Sequence, residues 1–154
     1  MKETLEIDGE SLAEIYAEKI RSLRTRSCTL DIPERENNVQ ILHTLLGIEL
    51  KVGRRRFACP DLATARYMCV FARLGCRGFA IPYDITKIST IADELETSWQ
   101  RANLLLKKEA AGLTDQQRKR RRSGLVKAIR SQIAEIGPGE KMPEFNQSTK
   151  QSGT

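Results

Sequence analysis

Apolar positions first recur along the chain with a helical period. Leu12, Ile15, Tyr16, Ile20 and Leu23 follow Ser11-Leu12-Ala13-Glu14, a capping box in which serine and glutamate side chains satisfy free backbone N–H groups at the helix start. The pattern predicts an amphipathic helix from Ser11 to about Arg26. Cys28, Leu30 and Ile32 then alternate with polar residues, which predicts a short strand. Pro33 can open a second helix, with Ile41, Leu42, Leu45 and Leu46 as its apolar positions and Gly47 as its stop.

In the middle of the chain, Ile48 to Val52 and Arg56 to Cys59 flank a turn at Gly53, which reads as a β-hairpin. Pro60-Asp61 starts a helix, Asp61 serving as N-cap, that runs from Leu62 to Leu74 and stops at Gly75. Its apolar positions nearly encircle it, so it should be buried. Arg77 to Ile81 reads as a further strand closed by Pro82. A strand, a 13-residue helix and a strand make a crossover long enough for the two strands to lie parallel.

From Asp84 onward, Ile85, Ile88, Ala92, Leu95, Trp99, Ala102 and Leu106 fall three and four residues apart, a helix-packing seam that Gly112 breaks. Thr114-Asp115-Gln116-Gln117 is a second capping box, and Leu125, Val126, Ile129, Ile133 and Ile136 form the next helix's stripe. Two long helices joined by a tight turn should fold back on each other. Beyond Gly137-Pro138-Gly139 the chain is poor in apolar residues, so residues 137–154 are expected to be a disordered tail. The elements together predict one α+β domain over residues 1–136. It comprises a small mixed sheet of three to four strands, flanking helices, and a long antiparallel helical hairpin over 84–136.

Composition narrows the function. With 154 residues, 40% of them hydrophobic and 30% charged, the chain can bury a core without cross-links. No apolar run approaches the roughly 20 residues of a membrane span, and Met-Lys-Glu-Thr-Leu-Glu-Ile-Asp lacks a signal core, so a cytoplasmic protein without a membrane partner is expected. Cys28, Cys59, Cys69 and Cys76 include no C-x-x-C pair; with His43 they could assemble a zinc site only against the usual ligand spacing, so they read as core residues and no cofactor is expected. No phosphate-loop, nucleophile-elbow or dinucleotide fingerprint occurs, and His43, the sole histidine, stands alone, so catalysis is the minority reading. It would need a pocket built around Tyr83, Asp84 or His43.

Charge is distributed unevenly. The net charge is +6, with a balance of −4 over residues 1–50, +3 over 51–100 and +7 over 101–154. Arg118-Lys119-Arg120-Arg121-Arg122, extended by Lys127 and Arg130, places bases around a whole helix circumference. Phosphates would offset that repulsion through neutralisation and counterion release. A second cluster, Arg54, Arg55 and Arg56 beside Lys51, sits on the predicted hairpin turn, and whether the two clusters share a face is a question for the fold. Solvated charge is the bland alternative, and an acidic protein surface is the other partner these bases would fit.

Arg77-Gly78-Phe79-Ala80 matches the opening of an RNA-binding signature whose aromatic stacks on a base, but Ile81-Pro82 departs from it and Phe79 reads as core. Aromatics are 5% of the chain, too few for a broad stacking platform. Trp99, Leu104 and Leu105 are apolar in excess of what one partner helix covers, a candidate protein interface or homodimer contact. The run Phe57-Ala58-Cys59-Pro60-Asp61-Leu62-Ala63-Thr64-Ala65-Arg66-Tyr67, with Ile81-Pro82-Tyr83-Asp84-Ile85 and Ser98-Trp99-Gln100, resembles a small cyanobacterial protein family without an assigned activity. The resemblance, covering about 45 residues, implies a cyanobacterial cytoplasm and a housekeeping or regulatory role; one member of the family is a ribonuclease E-binding regulator, which points toward RNA turnover without naming residues here. The expectation is a non-enzymatic regulator that binds RNA or DNA, RNA favoured, through its basic helix. The alternative is an adaptor or inhibitor docking an acidic protein, such as an RNA-processing nuclease.

Overall fold

A computed structural model describes residues 11–138. The chain opens with one α-helical turn, α1 (Leu12–Ile15), that widens into a π turn over Tyr16–Ile20. Both halves of the expected capping box form between Ser11 and Glu14. The helix ends before the expected Arg26 because strand β1 (Thr25–Thr29) begins there, antiparallel to β5 (Gly78–Pro82). Leu30 continues that pairing through its N–H to the Arg77 carbonyl, and both Leu30 and Ile32 are buried.

The helix expected after Pro33 is not formed. Residues 39–59 instead make a three-stranded antiparallel meander of β2 (Val39–Thr44), β3 (Gly47–Val52) and β4 (Arg55–Cys59). Val39, Ile41 and His43 lie opposite Val52, Leu50 and Ile48 on one face, so the two-residue period outranks the helical spacing of the leucines. Leu45 and Leu46 are not core at all: they form the β2–β3 turn, where Thr44 Oγ1 takes the Leu46 N–H and donates to the Gly47 carbonyl. The hairpin at Gly53 forms as expected, with Gly53 at φ +62° in its turn.

Helix α2 (Leu62–Leu74) carries the core. Asp61 caps it through the Thr64 N–H, and Gly75, at φ +80°, ends it. Gly75 N–H bonds the Ala72 carbonyl and Cys76 N–H the Phe71 carbonyl, the reciprocal pair that closes a left-handed helix end. The meander lies against α2, and so does α3 (Ile85–Glu109). Tyr67, Phe71 and Phe79 are fully buried where α2 meets β5 and the π turn, Phe71 and Phe79 stacked at 4.4 Å. The crossover from β4 through α2 to β5 therefore does not produce a parallel pair. β5 takes β1 as its partner in a separate sheet, so the expected mixed sheet resolves into two antiparallel ones.

Helix α4 (Asp115–Ile136) starts at the Thr114 capping box. The expected close-packed pairing of α3 with α4 is not shown. The α3 seam lies mainly on α2, while Val126, Ile129 and Ile133 of α4 are buried toward α1, the π turn, α2 and β5. Near their connecting turn the two helices meet through long side chains, Arg121 with Glu109 and Arg122 with Asn103. The far end of α4 is held by the Arg21 guanidinium on the Ile136 carbonyl and by the Tyr16 hydroxyl on that of Gly137. Past Gly137 and Pro138 the expected tail lies outside the described residues.

Candidate nucleic-acid interface

Successive helical residues turn by about 100°, so the five bases at the start of α4 point in different directions and meet different fates. Arg118 folds back, donating to the Leu113 carbonyl at 2.9 Å and lying 3.6 Å from Asp115. Arg121 reaches Glu109 at 3.3 Å. Arg122 heads the inward row that continues as Val126, Ile129 and Ile133. Its guanidinium grips Glu36 with two nitrogens, at 2.9 and 2.7 Å, donates to Asn103 Oδ1 at 2.8 Å, and lies 5.5 Å from the centre of the Trp99 ring. The carboxylate bond raises the Arg122 pKa further above its already high value, so the pair stays charged.

Lys119 and Arg120 point outward and have no carboxylate partner among the described residues. Lys127, seven and eight positions on, shares their face. Ser123 and Gly124 stand between them, and a Cβ at Gly124 would meet nothing within 4 Å, so this stripe is open to close approach. Arg130 is half-buried and serves the fold: it donates at 2.8 Å to the Leu74 carbonyl at the end of α2.

On the meander, Arg54 is exposed at the turn without a described partner, whereas Arg55 pairs with Asp31 at 3.0 Å and Arg56 with Glu49 at 3.2 Å. One loop links the two basic clusters. Asp31 receives Arg55 and Glu36 receives Arg122, and five residues of chain can separate their Cα atoms by no more than about 18 Å. The loop is docked on the end of α2: Asn37 N–H bonds the Arg73 carbonyl, its side-chain amide reaches the Ala72 carbonyl, and Arg77 Nε bonds the Ile32 carbonyl. Arg35, Arg73 and Arg77 are thereby added around the negative end of the α2 dipole. The sequence signal for Arg73 and Arg77 was their position around Gly75; Arg35 needed the loop's docking to be found.

Other candidates are placed elsewhere. Trp99 is 8% exposed beneath Arg122 and is no surface anchor, Leu105 is half-buried, and only Leu104 of that group is open to solvent. Phe79 is 0% exposed and cannot stack on a base. Asp93 and Glu96 of α3 both hold the Arg66 guanidinium. His43 is exposed on β2, and no group of metal-binding side chains occurs among the described residues. Cys59, Cys69 and Cys76 are buried without disulfides, and burial pushes their thiols up, that of Cys59 to about 11 and that of Cys76 to about 12. Among the described residues no helix is long and apolar enough to cross a membrane. Compared with known proteins, the chain matches no family model, no curated sequence and no solved structure.

Proposed function

We propose that this chain is a non-enzymatic, cytoplasmic regulator that binds nucleic acid through α4. The observation that carries the reading is the outward stripe of Lys119, Arg120 and Lys127, unpaired among the described residues. The Arg122 clamp and the Arg130 bond fix the helix that bears it. Like charges placed this close repel, and phosphates neutralise them while releasing condensed counterions. Arg54, exposed at the meander turn without a described partner, is a further phosphate contact in this reading. RNA is favoured over DNA on the resemblance to the cyanobacterial family linked to RNA turnover.

Replacing Lys119, Arg120 and Lys127 together by glutamine tests it by fluorescence anisotropy with labelled RNA and DNA over a salt series. Three lost phosphate contacts should flatten the log–log salt slope on duplex by about 2.7, and weaken all sequences alike. An unchanged slope would sink the reading. A second reading, an adaptor docking a protein partner, is favoured by Leu45 and Leu46, which are 105% and 95% exposed at the β2–β3 turn. In that case Leu45→Ser with Leu46→Ser abolishes capture of a protein that survives nuclease treatment, and the glutamine variant does not.

A further inference from the structure

At the open end of the β1–β5 sheet, an exposed aromatic stands among arginines. Tyr83, the residue after β5, donates its N–H to the Arg24 carbonyl at 3.0 Å, which extends the strand pairing by one residue and sets the two side by side. Arg24 and Arg26 alternate along the extended chain, so both side chains leave it on the same side. Their guanidinium carbons lie 5.7 and 6.0 Å from the centre of the Tyr83 ring. Both distances fall at the outer edge of the roughly 6 Å cation–ring range, so the two arginines are drawn to the ring at its limit of reach. Tyr83 remains 42% exposed, and Ile85, two residues on, is 65% exposed.

No carboxylate among the described residues pairs with Arg24 or Arg26. The nearest acid in sequence, Asp84, is committed to the start of α3, accepting from Thr86 N–H at 3.0 Å and from Thr86 Oγ1 at 2.6 Å. Two cations thus share one partly exposed ring, and among the described residues neither has a carboxylate to neutralise it. An anion alone would use the arginines and leave the ring idle; a flat apolar group alone would use the ring and leave the cations idle. A nucleotide unit of a single strand uses both, its base on the ring and its flanking phosphates on the guanidiniums.

We propose that Tyr83, Arg24 and Arg26 form a single-strand subsite, in which one unpaired base stacks on Tyr83 and the adjoining phosphates pair with Arg24 and Arg26. The subsite rests on the nucleic-acid reading of α4 and refines it: the basic stripe holds backbone of any form, and Tyr83 adds a preference for unpaired strand. In a duplex the bases are stacked on their neighbours and none is available to the ring.

The test compares a labelled oligo-uridine strand with a labelled RNA duplex by fluorescence anisotropy. Tyr83→Ala should weaken oligo-uridine binding by about 5- to 140-fold, the range that loss of one base–aromatic stack gives, and leave duplex binding within about twofold. Tyr83→Phe keeps the ring and should bind as the unaltered protein does. Arg24→Gln with Arg26→Gln should flatten the single-strand salt slope by about 1.4. Because Tyr83 and both arginines are exposed, thermal unfolding of each variant should match the parent, separating lost contacts from lost fold. If Tyr83→Ala and the arginine pair leave oligo-uridine binding intact while the α4 glutamine variant weakens both probes, the subsite is refuted and the α4 reading stands. If the unaltered protein binds neither probe, both are refuted.

Discussion

Arg122 shows how a basic run divides into groups that bind and a group that builds. It sits four residues before Val126 on the row that faces the core, so its charge is matched inward by Glu36 and Asn103 and its plane lies over Trp99. That placement was legible in the sequence, since 122, 126, 129 and 133 fall on one helical row; density of charge drew attention away from it. Arg122→Gln removes a forked ion pair and a cation–ring contact, both partly exposed. It should lower stability by about 1–2 kcal/mol, read from the urea midpoint. Arg122→Lys should recover little of this, because an ammonium cannot reproduce the fork. Lys119→Gln and Arg120→Gln should stay within about 0.5 kcal/mol of the parent while reducing nucleic-acid affinity. The opposite ordering, with Arg122 silent in stability, would show that the clamp does not hold in solution. Tyr83 was hidden for a different reason: its arginines come from about 60 residues away, and only strand pairing brings them to its ring.

Elements that announce their own ends were legible in this sequence, and elements defined by partners were not. Ser11, Asp61, Gly75 and Thr114 all cap the helices their positions suggest, because a cap is satisfied within four residues of chain. Ile41, Leu42, Leu45 and Leu46 suit one helical face, yet residues 39–44 pair with β3 and Leu45-Leu46 serve as the turn between them. Which sheet β5 joins, and that α3 and α4 each pack on α2 rather than along one another, depends on contacts that no local pattern encodes. Two of the positive-φ glycines, Gly53 and Gly75, make a measurable contrast. A Cβ at Gly53 would meet nothing within 4 Å, so Gly53→Ala should cost only the left-handed backbone penalty, about 1–2 kcal/mol. At Gly75 the same atom would lie 2.3 Å from the Arg35 carbonyl oxygen, backbone that is itself tied to α2 through Asn37. Gly75→Ala should therefore cost clearly more, above about 3 kcal/mol, and loosen the loop that carries Glu36. Equal losses at the two glycines in chemical denaturation would contradict the docking of that loop.

Weak acids lie in the otherwise apolar core, and they shape how the whole molecule responds to alkaline pH. Cys59, Cys76, Tyr16 and Tyr67 are buried, and loss of hydration raises the pKa of each. A thiol ordinarily titrates near 9.0, but in the fold Cys59 waits until about 11 and Cys76 until about 12. The unfolded chain consequently binds fewer protons than the folded one between those limits. Stability from these groups is fully present below pH 9 and is lost as pH rises through the folded values. Each thiol can contribute a slope of up to about 1.4 kcal/mol per pH unit in that window. Urea midpoints should fall steadily as pH rises from about 9 to about 11, and Cys76→Ala, whatever it costs in packing at neutral pH, should make that fall shallower. The same burial predicts that, near neutral pH, an aromatic disulfide reagent reacts slowly with Cys59, Cys69 and Cys76 in the folded protein and rapidly in urea. If these thiols react at full speed in the folded state, or if the alkaline fall is unchanged in Cys76→Ala, the desolvated core described here is not what holds the basic helix in place.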